Sequence, residues 1–217
     1  MAPPARRSYG GISAEDRRAE RRRRLLDAGI DVIGGEGWAA ATVRGVCERA
    51  RLTPRYFYEE FEDLDALAVA VFDEAFATTT ATVVAAIAEA PGDIDARVRA
   101  AIETAFLAVT DDPRLARVLF AEAYAAGPLA ARRIARLRDV VALIGAYGRE
   151  EFDVTAAAEP LLQVTATMLA GGLAETVGAW LRDDLPLERD ALVEDLAALF
   201  VASGRAAEAI ARERGGR

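Results

Sequence analysis

The sequence predicts an all-α fold, with an arm at residues 1–14, an N-terminal three-helix unit at 15–62 and a larger helical unit at 63–217. Three observations carry this reading. Apolar residues recur at helical spacing along the chain, and no stretch alternates convincingly with period two. The breaks between periodic stretches are helix stop and start signals such as Pro91-Gly92, Asp112-Pro113 and Gly127-Pro128. Charge is segregated as well: the net charge is −8, yet residues 1–58 hold 12 arginines against 7 acids, and residues 59–217 hold 15 against 28. All 27 basic residues are arginine.

The arm contains Pro3, Pro4, Gly10 and Gly11, a composition that favours flexibility, with Arg6 and Arg7 as candidate groove contacts. From Asp16 a helix is expected to run to about Gly34, with Leu25, Ala28, Gly29, Val32 and Ile33 on one face. Arg17, Arg18 and Arg21 to Arg24 crowd its start against the helix dipole, and a nearby anion would relieve them. Thr42 is placed as N-cap of a short helix whose Val43, Val46, Cys47 and Ala50 share one face. After a turn at Arg51 and Leu52, Thr53 is a good cap and Pro54 fits the first helical position. In that second short helix Phe57 and Phe61 point inward, leaving Arg55, Tyr56 and Tyr58 outward. Such a helix suits the major groove, since arginine bonds guanine bidentately and tyrosine hydroxyls hold phosphates.

Further helices are expected from Asp63, from Asp93 to about Thr110, from Pro113 to about Ala126, from Pro128 to about Phe152, from Pro160 to Arg182, and from Leu187 to about Ser203, with a short amphipathic tail after Gly204. A loop is expected at Asp183 to Pro186. The last two long helices carry apolar residues on more than one face, a surplus that suggests a partner.

Gly37 with Trp38, Thr42, Val46 with Ala50, Leu52 with Thr53, and then Tyr58, Phe61, Asp63, Asp65 and Leu67 stand at spacings that resemble the DNA-binding domain of TetR-family transcriptional regulators, over roughly Arg21 to Phe72. The chain departs from that pattern at Arg51, where the family usually has glycine, and at Leu64, where it usually has lysine. Glu60 occupies a position commonly basic or aromatic; the missing lysine removes a phosphate contact and Glu59 with Glu60 adds repulsion near the backbone, so lowered DNA affinity is expected. The resemblance implies a helix-turn-helix domain followed by a ligand-binding and dimerisation domain. It implies a homodimer that binds a palindromic operator in double-stranded DNA as a repressor and is released by a small-molecule effector. Thr42, Val43, Arg44, Thr53, Pro54, Arg55, Tyr56 and Tyr58 are the candidate DNA contacts.

Phe72, Phe76, Phe106, Phe120, Tyr124, Tyr147 and Met168 are candidates to line an apolar effector cavity, with Glu103, Gln163 and Thr167 as its polar fixtures. The acidic balance of this domain favours an effector that is apolar and neutral or cationic. Leu169, Leu173, Val177, Trp180, Leu192, Leu196 and Leu199 are the candidate dimer interface, formed as a four-helix bundle around a two-fold axis.

The inventory argues against an enzyme and against a metal or cofactor. There is no histidine, the serines are only Ser8, Ser13 and Ser203, and the acids from Glu59 to Asp65 scatter about a helix end. Cys47 is the single cysteine, so no internal disulfide forms, and a reducing cytoplasm is expected. No signal peptide and no uninterrupted apolar run long enough for a membrane span are found. The alternative is a dimeric ligand-binding protein with weakened DNA affinity.

Overall fold

The computed structural model describes residues 13–124, 127–152 and 158–215, and every regular element among them is helical. The arm, with Arg6 and Arg7, lies outside the described residues. Helix α1, Ala14–Glu36, starts two residues earlier than expected because Ser13 and Asp16 form a reciprocal capping box. A short 3₁₀ turn, Trp38–Ala40, leads to α2, Val43–Ala50, where the Thr42 hydroxyl accepts from Gly45 N at 3.0 Å. Helix α3, Pro54–Glu60, follows, and α4, Leu64–Glu89, begins at once with Asp63 accepting from Ala66 N at 2.8 Å.

The first core gathers Leu25, Ile33, Val46 and Phe57 from α1 to α3 around Leu67, Ala68 and Val71 of α4. The beginning of α4 therefore packs with α1 to α3, and Val118, Ala123 and Leu129 from later in the chain close the same core. At 26 residues α4 is also long and apolar enough to cross a membrane by composition alone. The uninterrupted-run criterion misses this helix because Asp73 and Glu74 divide it.

Helix α5 spans Ile94–Asp111. The single helix expected to follow Asp112 is instead a four-residue helix α6, Pro113–Ala116, a π-helical turn at Arg117–Ala121 and a 3₁₀ turn at Glu122–Tyr124. Cap and proline signals mark where a helix starts but carry no information on a change of winding further along. Helices α7, Pro128–Glu151, and α8, Glu159–Leu181, pack against each other. Helix α9, Arg189–Gly215, packs on α5 and α8 and runs straight through Ser203 and Gly204, where a break was expected. Gly204 serves contact rather than termination, because a Cβ there would lie 2.6 Å from the Phe152 ring. The second core, Ile102, Phe106, Val109, Val177, Leu192, Val193 and Leu196, joins α5, α8 and α9.

Candidate nucleic-acid interface and cavity

Helix α3 is held by one face. Phe57 is fully buried and Phe61 nearly so, their ring centroids 5.8 Å apart, while Thr53, Pro54, Arg55, Tyr56 and Tyr58 are exposed. Arg55 is 84% exposed and Tyr58 61%. On α2, Thr42 and Arg44 are exposed and Val43 is half-buried against the first core. Seven of the eight candidate DNA residues thus lie on the caps and outer faces of two adjacent short helices, α2 and α3, and Val43 packs inward.

Carboxylates already hold the arginines of this surface. Arg55 Nε donates to Glu59 at 3.1 Å, and Arg44 Nε donates to Glu48 at 2.8 Å. Glu60, expected to repel the phosphate backbone, turns inward: its side chain is 3% exposed and accepts from Arg18 Nε of α1 at 2.8 Å. The crowded arginines of α1 find partners within the protein. Arg21 sits 4.7 Å from the Tyr56 ring centroid and 3.9 Å from Glu59, Arg22 lies 4.7 Å from the Phe61 ring centroid, and Arg23 bonds Glu20 and Asp27. The Arg23 pairs are local, at i,i+3 and i,i+4 spacing, but sequence spacing could not reveal those of Arg18, Arg21 and Arg22, because they join α1 to α3 and its end about 40 residues away.

Arg51, where the related pattern has glycine, adopts φ 54° and ψ 45°, the left-handed region. Its N–H donates to Glu48 O at 3.2 Å and closes the end of α2, and Arg24 from α1 donates to the carbonyls of Ala50 and Arg51. Leu64 packs on the first core instead of reaching outward as a lysine would. Cys47 is buried, and burial pushes its thiol up from the ordinary range, which suits an inert core residue.

A cavity of about 330 Å³ runs between α4, α5, α7, α8 and α9, with the π-helical turn closing one side. Of the residues expected in it, Phe72, Phe76, Phe120 and Tyr147 line it. Five of the other expected residues do not. Phe106 is fully buried in the second core with its ring 5.4 Å from that of Trp180, and Glu103, Gln163, Thr167 and Met168 are on the surface. Thr167 returns its hydroxyl to Gln163 O at 2.7 Å. The Tyr124 side chain lies outside the described residues. Sequence reading missed most of the wall, including Thr79 and Val83 of α4 and Leu137, Val140, Leu143 and Ile144 of α7. Helical periodicity marks these positions as inward but does not distinguish a packed core from a hollow one.

The candidate interface residues divide similarly. Leu169, Leu173 and Val177 face the cavity, Leu192 and Leu196 are core, and Trp180 is tied inward by Nε1 donating to Leu187 O at 2.9 Å. Only Leu199 of that set is outside, 61% exposed. The outer apolar face of α8 and α9 consists instead of Val164, Met168 (71% exposed) and Leu199, beside Gly171 and Gly172, where an added Cβ would meet nothing within 4 Å. Interior and exterior apolar rows alternate every three or four residues on one helix, and composition alone does not say which row faces out.

Beside one end of the cavity, whose wall Arg136 reaches, Asp73 of α4 is clasped by two arginines of α7, Arg132 and Arg136. Arg132 Nε and Nη2 donate to its two oxygens at 2.6 Å each, and Arg136 Nε donates at 3.0 Å. Burial pushes the Asp73 carboxyl up, but the hydrogen bonds from Arg132 and then Arg136 outweigh it and hold the carboxyl below its ordinary range. At the other end Arg97 pairs with Glu151 at 3.0 Å, and both line the cavity. Among the described residues no cluster of side chains is suited to hold a metal ion.

No family model matches the chain. A curated relative, the HTH-type transcriptional activator FasR of Mycolicibacterium smegmatis, is 27% identical over 195 residues, covering 87% of this chain and 86% of that protein. The fold is similar to that of the transcriptional regulator FadR from Bacillus subtilis in complex with stearoyl-CoA, with TM-score 0.69 and 18% identity over 83% of this chain and 98% of the other. It is also similar to that of a TetR family transcription regulator from Marinobacter aquaeolei VT8, with TM-score 0.58 and 18% identity over 87% and 97% of the two chains.

Proposed function

We propose that this chain, which has the fold of TetR-family transcriptional regulators, is a non-enzymatic, ligand-responsive regulator of transcription that binds duplex DNA as a homodimer and takes a long-chain acyl effector in its cavity. The observation that carries the reading is the presentation of α3: a helix anchored by Phe57 and Phe61, with Arg55 and Tyr58 exposed on its outer face in a locally basic unit. The FasR relative is named an HTH-type activator, and the FadR neighbour holds stearoyl-CoA. Both fit a reading head joined to an elongated apolar cavity. Pairing through Val164, Met168 and Leu199 would give two reading heads and a palindromic or near-palindromic site. A cytoplasmic place of action follows from this role.

The sign of regulation is not carried over from the resemblance. Repression is the expectation from the family, whereas the relative is named an activator. The sign depends on where the operator lies relative to the promoter, and transcription in vitro with and without effector reads it directly.

Selection of bound duplexes from a random pool tests the reading. Enrichment of a two-fold symmetric site, bound with a steep salt dependence, supports it; unselective binding overturns it. The pairs Arg55–Glu59 and Arg44–Glu48 favour a second reading, a dimeric ligand-binding protein whose DNA affinity is weakened because each reading arginine must first leave a carboxylate. Failure to select any sequence, with stearoyl-CoA still bound, would establish that alternative.

A further inference from the structure

The cavity wall supplied by α7 is chemically polarised. Arg133 and Arg136 stand at its N-terminal end, and Leu137, Val140, Leu143 and Ile144 continue the same face. From Arg133 to Ile144 this wall is about 16 Å long at the α-helical rise. A surface cationic at one end and apolar along the remainder fits an amphiphile with an anionic head better than the neutral or cationic effector that the domain's overall charge favours. The overall charge misleads because it averages over a cluster: four of the 15 arginines beyond Tyr58 are Arg132, Arg133, Arg136 and Arg138, within two helical turns. The opposite end offers no such excess, since Arg97 is paired with Glu151 and Glu208 also lines the wall there.

Asp73 is the carboxylate that now occupies Arg132 and Arg136, and it belongs to α4, whose first turns pack into the core of the reading head. Arg136 also holds Asp139 at 2.9 Å and lies 5.5 Å from the Phe76 ring centroid, so it touches clasp and cavity together. Resting on the acyl-effector reading above, we propose that Arg132, Arg133 and Arg136 form the subsite for the anionic head of the effector. The head displaces Asp73 from Arg132 and Arg136, so occupation of the cavity releases α4 from α7 at the point where α4 leaves the DNA-reading unit. Phosphate groups of a coenzyme thioester and a free carboxylate share this chemistry.

Binding of three probes to the full chain separates the possibilities: stearoyl-CoA, stearate, and the stearoyl thioester of N-acetylcysteamine, which has no charge. The wild-type protein is expected to bind at least one anionic probe about tenfold or more tighter than the neutral thioester. Whichever of the two anions binds tighter identifies the head as phosphate or carboxylate. The double variant Arg133→Gln/Arg136→Gln is expected to lose that preference while holding the neutral thioester within about twofold of wild type, which also shows that it folds. Asp73→Asn, which removes the competing charge, is expected to tighten the anionic probe about threefold or more. Arg97→Gln is expected to leave the preference unchanged. Equal binding of all three probes by the wild type, a preference that survives in the double variant, or one that disappears with Arg97→Gln overturns the subsite while leaving the acyl-effector reading intact. No binding of any probe to the wild type overturns both.

Discussion

Gly34 of α1 and Arg114 of α6 are in backbone contact: a Cβ on Gly34 would stand 2.6 Å from Arg114 Cβ and 2.7 Å from its carbonyl oxygen. The same arginine reaches Asp31 of α1 and holds Asp112 at 2.7 Å, and Arg117 donates to Gly35 O at 3.1 Å. Gly34→Ala is therefore expected to destabilise the protein by about 1–3 kcal/mol, since the backbone of Arg114 must retreat. Its neighbour has open space around it, and Gly35→Ala is expected to stabilise by up to about 1 kcal/mol through helix propensity. Urea unfolding midpoints of the two variants should move in opposite directions; movement in the same direction would remove the contact from the account.

The left-handed backbone of Arg51 yields a second expectation. An exposed arginine gains nothing from that conformation, and glycine adopts it freely. Arg51→Gly should raise stability by about 1 kcal/mol, read as a higher unfolding midpoint with an unchanged denaturant slope.

Glu59 and Glu60 are adjacent in sequence and opposite in role. Glu59 occupies Arg55 on the outer surface, whereas Glu60 is enclosed against Arg18. Glu59→Gln should free Arg55 and lessen repulsion, raising DNA affinity about fivefold at low salt. Glu60→Gln should leave affinity nearly unchanged and lower stability by about 1 kcal/mol. Fluorescence anisotropy on the selected duplex distinguishes the two, and the reverse ranking would contradict these placements.

Met168→Arg puts a charge into the exposed apolar face of α8. Light scattering behind size exclusion should show the wild type at twice the chain mass of 23.2 kDa and the variant at the chain mass. A variant that remains paired would move the interface elsewhere.

Acidification should loosen the α4–α7 clasp. The folded-state acidity of Asp73 lies below its ordinary value, so its contribution is fully present above the unfolded pKa of about 3.9 and disappears as pH falls through the lower folded value. Wild-type stability should therefore decline more steeply than that of Asp73→Asn below about pH 4. Parallel declines would leave the clasp without energetic weight.

The short helices were legible because their start signals are local: Thr42 and Asp63 each cap a backbone N–H three residues on, and Pro54 opens α3 even though the Thr53 hydroxyl makes no capping bond. The inward pair Phe57 and Phe61 was legible for the same reason, as one helical turn separates them. Glu60 was misread because its partner Arg18 is 42 residues away. Met168 looked like a cavity residue and Val177 like an interface residue, since both satisfy apolar helical spacing; only the angular placement of α8 between α7 and α9 assigns one outward and the other inward. The winding change after Ala116 leaves no mark in residue type at all.

That change of winding has a geometric outcome. Arg117–Ala121 is wound wider than an α-helix, between an upstream end fastened to α1 through Arg114 and a downstream side chain, Phe120, that forms part of the cavity wall. Rewinding the stretch to α-geometry would shift the register of everything beyond it by one position, about 100° around the axis. The wider winding thus sets where Phe120 meets the cavity independently of the anchor that Arg114 makes to Asp31.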